Sequence, residues 1–151
     1  MPDLIREDVI AQYGWQAVGV FKCEEEQEPS FNYTIGLMNR DWPELIMVGM
    51  RVDLGHYCLA AIIKHYEDLD RPPELGEINK TTLSVPIKFG SVSKDNINER
   101  MTVTRLYANR HARQFDALQV IWSDMDGNFP DSELFDMNMR KAAVILGETH
   151  H

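Results

Sequence analysis

Phe31-Asn-Tyr-Thr-Ile-Gly-Leu37 and, after a six-residue turn, Glu44-Leu-Ile-Met-Val-Gly-Met50 decide the fold. In the first stretch Phe31, Tyr33, Ile35 and Leu37 alternate with Asn32, Thr34 and Gly36, the pattern of a half-buried strand. The second is apolar at nearly every position, as a central strand covered on both faces would be. Upstream, residues 15–22 place Trp15, Ala17, Gly19 and Phe21 on one face and Gln16, Val18, Val20 and Lys22 on the other. Three strands so close in sequence predict an antiparallel meander.

Outward from the meander the pattern changes period. Pro2-Asp3 opens an amphipathic helix, with Asp3 as its cap, Leu4, Ile5, Val9, Ile10 and Tyr13 at helical spacing, and Gly14 to end it. Residues 24–30 form a polar hairpin loop. Asp53 caps a second helix running to about Leu69. Its stripe of Leu54, Tyr57, Cys58, Ala61 and His65 is widened by Leu59, Ile62, Ile63 and Tyr66, so it is mostly buried. Residues 85–91 predict a fourth strand with Val85, Ile87 and Phe89 inward and Pro86 marking an edge or bulge. A helix is expected over the second half of 95–113. A fifth strand follows at 117–124, with Leu118, Val120 and Trp122 opposing Gln119, Ile121 and Ser123, and a turn at Asp126-Gly127. The tail suggests a short helix near 137–146. The expected architecture is therefore one α+β domain, a mostly antiparallel sheet of about five strands with one buried helix packed on it and others flanking.

The chain has 151 residues and a formal charge of −9, from 24 acidic and 15 basic side chains. That balance argues against duplex nucleic acid, which needs a basic face. Two cysteines exclude a disulfide framework. The first residues lack the basic and apolar regions of a signal peptide, and no apolar run approaches the length that spans a bilayer. A cytoplasmic location and no membrane partner are expected. His150 and His151 are given no role.

Few motifs carry chemistry. Asp124-Met-Asp-Gly-Asn128 starts like a calcium loop, but Phe129 stands where the sharp-turn glycine belongs and Phe135 where the bidentate glutamate belongs. His56, Cys58 and His65 share one helix without metal-ligand spacing, so no metal or cofactor is expected. Phosphate loops and nucleophile elbows are absent. Two sets remain. Arg100, Arg105, Arg110, His111 and Arg113 cluster in an acidic chain; they suit either ion pairing on a solvated face or an anion pocket. Tyr33 and Thr34 in one strand, Trp42 and Glu44 entering the next, and Gln119, Trp122 and Asp124 along the fifth could wall a pocket for a flat polar ligand. Core packing and turn chemistry account for the same residues.

Taken together, Pro29-Ser-Phe-Asn-Tyr-Thr-Ile-Gly-Leu37, Trp42-Pro-Glu-Leu-Ile-Met-Val-Gly49, Leu118-Gln-Val-Ile-Trp-Ser-Asp124 and Gly127-Asn-Phe-Pro130 resemble a bacterial and phage family, domain of unknown function 4262, and Tyr13-Gly-Trp15 also fits. The resemblance runs from the first helix to Pro130 and implies a single small domain. Relatives often carry histidine where this chain has Trp42, and tryptophan where it has Asp131.

The functional expectation is a non-enzymatic binding domain for a small polar or anionic ligand, built from Tyr33, Thr34, Trp42, Glu44, Gln119, Trp122 and Asp124 with Arg105, Arg110 and Arg113. Two alternatives stand beside it. One is a small hydrolase pairing His56, His65 or His111 with Glu44 or Asp124. The other is an acidic interaction module that blocks a basic partner surface.

Overall fold

In the computed structural model, which describes residues 4–22, 29–140 and 142–147, the meander is formed by β1 (Gln16–Val20), β2 (Phe31–Ile35) and β3 (Glu44–Val48). The acidic loop expected at 24–30 falls almost wholly outside the described residues. The remaining elements are α1 (Glu7–Tyr13), α2 (Val52–Leu69), β4 (Ile78–Asn79), β5 (Ile87–Ser91), α3 (Lys94–Arg100), α4 (Thr102–Arg110) and β6 (Ala117–Trp122). The strand order is β1-β2-β3-β6-β5-β4.

The α+β class is as expected, but the sheet has six strands and is mixed. β3 and β6 run parallel, with Glu44 opposite Ala117 and Ile46 opposite Gln119, while every other pair is antiparallel. The long excursion between β3 and β6 allows this, because a parallel pair needs a crossover and a hairpin cannot supply one. The unforeseen strand is β4, only two residues long. It covers the edge where Pro86 had suggested the sheet ended, so β5 is not an edge strand.

One face of the sheet carries α2. Leu45 and Met47 of β3, Ile87 and Phe89 of β5, and Leu118, Val120 and Trp122 of β6 pack there with Cys58, Leu59, Ile62, Ile63 and Tyr66. Leu54 and Tyr57, assigned to the buried stripe from sequence, are exposed. The apolar arc was wider than the surface it meets, and Leu59–Ile63–Tyr66 won the contact. The other face carries α1, α4 and the stretch from Val144 to Leu146, around Phe31, Tyr33, Ile46, Val48, Met101 and Leu146 and around Ile10, Ile35 and Tyr107. β2 is thus buried at all five positions rather than half-buried.

Three local departures have identifiable causes. The expected cap Asp3 lies outside the described residues, and α1 starts at Glu7, with the Gln16 side chain holding the stretch before it. Its Oε1 accepts from Arg6 N at 2.7 Å and its Nε2 donates to Leu4 O at 2.8 Å. The stretch 95–113 makes two helices jointed at Met101, the first capped by Ser93, whose Oγ accepts from Asn96 N. The tail is helical only over a single 3-10 turn, Met137–Met139; Ala142 N and Ala143 N then bond back to Met139 O and Arg140 O, and residues 143–146 take no regular structure.

Candidate functional site

Parallel pairing of β3 and β6 sets the geometry of the candidate residues. Trp42 and Glu44 enter β3 beside the start of β6, whereas Trp122 and Asp124 lie at the end of β6. At 3.3 Å per residue those two groups are about 20 Å apart. The structure therefore divides the tryptophans and acids between opposite ends of the sheet, around no common hollow.

At the first end, Glu44 is fully buried. Gly36 turns the chain out of β2 with φ 115°, and the following amides point inward. Glu44 Oε1 accepts from Thr34 Oγ1 at 2.7 Å and Leu37 N at 3.2 Å, and Oε2 from Gly36 N at 3.1 Å and Met38 N at 2.9 Å. The carboxylate thus serves the orphan amides at the start of a 3-10 turn, Leu37–Arg40, as a bound anion would. Burial pushes its carboxyl up to about 7 against the pull of those four donors. Thr34 also accepts from Leu45 N, and its carbonyl accepts from Thr104 Oγ1, which ties α4 to the same knot. Tyr33 is buried too, its hydroxyl accepting from Val103 N.

At the other end Asp124 is almost as buried, at 2% exposure. Its Oδ1 accepts from Asp126 N at 3.0 Å and Asn128 N at 2.8 Å, and its Oδ2 from Asp136 N at 2.9 Å and Asn128 Nδ2 at 3.5 Å. Burial raises this carboxyl as well, but the amides of Asn128, Asp136 and Asp126 outweigh it and hold it below the usual range. These oxygens face donors, so the loop is folded around its own carboxylate and not around a cation. Trp122 is a core residue, with Nε1 donating to Val48 O at 3.0 Å. Gln119 faces away from α2 and bonds the main chain of Val144 and Leu146.

The arginines do not converge. Arg105 is exposed and reaches Asn98 O, and Arg110 pairs with Glu7. Arg100 lies over the Phe31 ring. Arg113 alone approaches a tryptophan end, donating to Met38 O at 3.2 Å. The acid that meets a histidine is neither Glu44 nor Asp124 but Glu7, 2.8 Å from His111 Nε2. Among the described residues, no three His, Cys, Asp or Glu side chains are grouped as a metal ion would require.

What the structure does open is a cleft of about 270 Å³ at the first end, walled by Trp42, Pro43 and Phe115 and carrying Asp41, Gln114 and Asp116, with Met38 at its base. It exists because β3 and β6 start side by side, where Glu44 N donates to Asp116 O at 2.9 Å. Asp41, at φ 60°, closes the 3-10 turn and lines the cleft. Arg40 stacks 5.0 Å over the Trp42 ring and is bridged to Glu67 at 2.9 Å, which fixes the indole. Of the cleft residues only Trp42 was singled out from sequence. The missed signal was that two polar-aromatic triplets, Asp41-Trp42-Pro43 and Gln114-Phe115-Asp116, each immediately precede an apolar strand.

A family model described as a domain of unknown function (DUF4262) matches residues 9–136. The chain belongs to that family. No curated protein and no solved structure matches it. The match spans both carboxylate knots and the cleft, and ends where Asp136 closes the Asp124 loop. Among the described residues no helix is long and apolar enough to cross a membrane.

Proposed function

We propose that this domain binds a small polar ligand carrying a positive group, in the cleft beside Trp42, without transforming it. The cleft itself carries this reading. Two carboxylates, Asp41 and Asp116, and one amide, Gln114, converge on an opening walled by an indole and a phenyl ring. Aromatic walls supply contact area and the polar groups orientation, and a cation gains from both carboxylates and the ring faces. Glu44 and Asp124 each have both oxygens engaged by internal donors, which favours binding over catalysis by either acid.

Thermal-shift measurement against amino acids, polyamines, sugars and organic acids tests this. Amine-bearing compounds should raise Tm, by the equivalent of about 2.7 kcal/mol at a hundredfold excess over Kd. The double substitution Asp41→Asn with Asp116→Asn should weaken that binding about tenfold or more while leaving the melting temperature of the free protein nearly unchanged. Stabilisation by organic acids alone, or by no class of compound, would contradict the reading.

A further inference from the structure

On the face of the sheet away from α2, the two halves are covered unequally. α1, α4 and the stretch from Val144 to Leu146 pack over β2 and β3. Over β5 and β6 the opposed residues Lys88 and Ile121 stay half-buried. Their neighbours Ile87, Phe89, Val120 and Trp122 point to α2, so Lys88 and Ile121 point the other way. Gly90 makes room for the isoleucine. A Cβ at residue 90 would lie 2.7 Å from Ile121 Cδ1. Lys88 and Ile121, with Phe129, Pro130, Asp131 and Ile145, enclose a cavity of about 190 Å³.

The loop that completes this cavity is held in place. Asn128 N donates to Asp124 Oδ1 at 2.8 Å, and the Arg140 guanidinium donates to Pro130 O at 2.6 Å and to Ser132 O at 2.9 Å. Four of the six lining residues are apolar. An apolar hole of about 150 Å³ already takes up a benzene ring. The one cation in the lining is Lys88, whose side chain is 36% exposed. Its ammonium has no hydrogen-bond acceptor among the described residues. Asp131 Oδ2 pairs with it at 3.9 Å, beyond hydrogen-bond length, from a side chain 77% exposed. Lys88 thus has hydrogen bonds to give, and the carboxylate opposite it stands in solvent, where a bound acid can take its place.

We infer that this cavity binds a monocarboxylate with a compact apolar body, aromatic or branched. The carboxylate sits on Lys88 Nζ and the body lies against Ile121, Phe129, Pro130 and Ile145. A single ammonium calls for a single negative charge. A phosphate or a dicarboxylate would bring a second one, for which the lining has no donor and which Asp131 repels. The Trp42 cleft has the opposite chemistry, two carboxylates and no cation in its lining. The two sites therefore take opposite ligands, and each stands without the other.

Methyl NMR of the full chain, titrated with benzoate, benzamide and benzylamine, tests this. Benzoate should shift the Ile121 and Ile145 methyl signals saturably, with a millimolar Kd, and leave the Trp42 indole signal in place. Benzamide, the same ring without the charge, should bind about fivefold more weakly, and benzylamine should leave both methyls unmoved. Lys88→Met keeps the apolar stem and removes the charge; it should weaken benzoate about fivefold, to the level of benzamide. Ile145→Trp fills the cavity from an exposed position and should abolish the Ile121 shift. Benzoate that leaves Ile121 and Ile145 unmoved, or that binds there no better than benzamide, overturns the proposal, and both results are read on the unsubstituted chain. A Lys88→Met chain that binds benzoate as before overturns it too. Amines that fail to bind beside Trp42 while benzoate shifts Ile121 and Ile145 would sink the cleft reading and leave this one standing.

Discussion

Glu44 and Asp124 occupy equivalent stations at opposite ends of the β3–β6 pair, and the two ends titrate in opposite directions. Each carboxylate is buried, each oxygen takes two donors, and each ties down the loop that leaves its end of the sheet. Glu44 lies between packed layers, beneath the α4 side of the sheet, and its carboxyl is pushed up to about 7. At Asp124 burial also acts to raise the carboxyl, but the amides of Asn128, Asp136 and Asp126 together hold it down. Hydrogen-bond count is therefore not what sets protonation here; the depth of apolar material around the group is. The anchoring role is shared, and the cleft adjoins only the Glu44 end.

The largest break in this comparison should come from removing the carboxylates. Glu44→Ala strands three amides and the Thr34 hydroxyl in a dry interior and should cost about 4 kcal/mol in chemical denaturation. Asp124→Ala should cost less, because water can reach the loop amides once the turn opens.

The pH dependence sharpens the contrast. Glu44 has a folded value of about 7, above its ordinary 4.5, so the folded chain holds an extra proton between those limits. The stability it contributes is whole below 4.5 and lost as pH rises through 7, about 3 kcal/mol in all. Glu44→Gln should flatten that alkaline-side decline in urea midpoints measured from pH 4 to 8. Asp124 runs the other way. Its contribution is present above its ordinary value of 3.8 and lost as pH falls through its depressed one. Asp124→Asn should leave the neutral range sloping as before and remove part of the acid-side loss. Glu77, held near 2 by the Arg71 guanidinium and the Tyr66 hydroxyl despite partial burial, adds to that acid-side loss in both chains.

Much of the sheet was legible because its strands announce themselves. The alternation of residues 31–35, the apolar run of 44–48 and the alternation of 117–122 each correspond to a strand. Direction was not legible. A strand covered on both faces reads alike in either orientation, so nothing in Glu44–Val48 or Ala117–Trp122 showed that they run parallel. That single fact separates Trp42 from Trp122 and joins Asp41 to Asp116. β4 is too short to carry a pattern. The path of the tail was hidden because it is held by residues far away in sequence, Gln119 among them, 25 residues from Val144. The acids at 44 and 124 stood out as polar residues in apolar surroundings. Their donors are backbone amides, which no side-chain pattern reveals.

The smallest expected effects come from the glycines at the two ends. Gly36 has φ 115°, and an added Cβ would lie 2.9 Å from Ile10 Cγ2 and 3.1 Å from the Gly14 carbonyl. Gly36→Ala should cost about 2–3 kcal/mol, from backbone strain and overlap together. Gly127 has φ 83° with nothing nearer than Pro86 Cγ at 3.9 Å. Gly127→Ala should cost about 1 kcal/mol, the left-handed penalty alone. Equal costs in thermal melts would mean that the Glu44 end is no more tightly packed than the Asp124 end.

Carboxyl-carbon NMR titration of Glu44 and Asp124 in the same sample, with and without an amine-bearing compound bound beside Trp42, tests the account most directly. The account predicts an inflection near pH 7 for Glu44 and one below 3.8 for Asp124, neither displaced when the compound binds. An ordinary inflection for Glu44, or a Glu44 inflection that moves when the compound binds, would contradict it, because the carboxylate would then belong to solvent or ligand and not to the turn that follows β2.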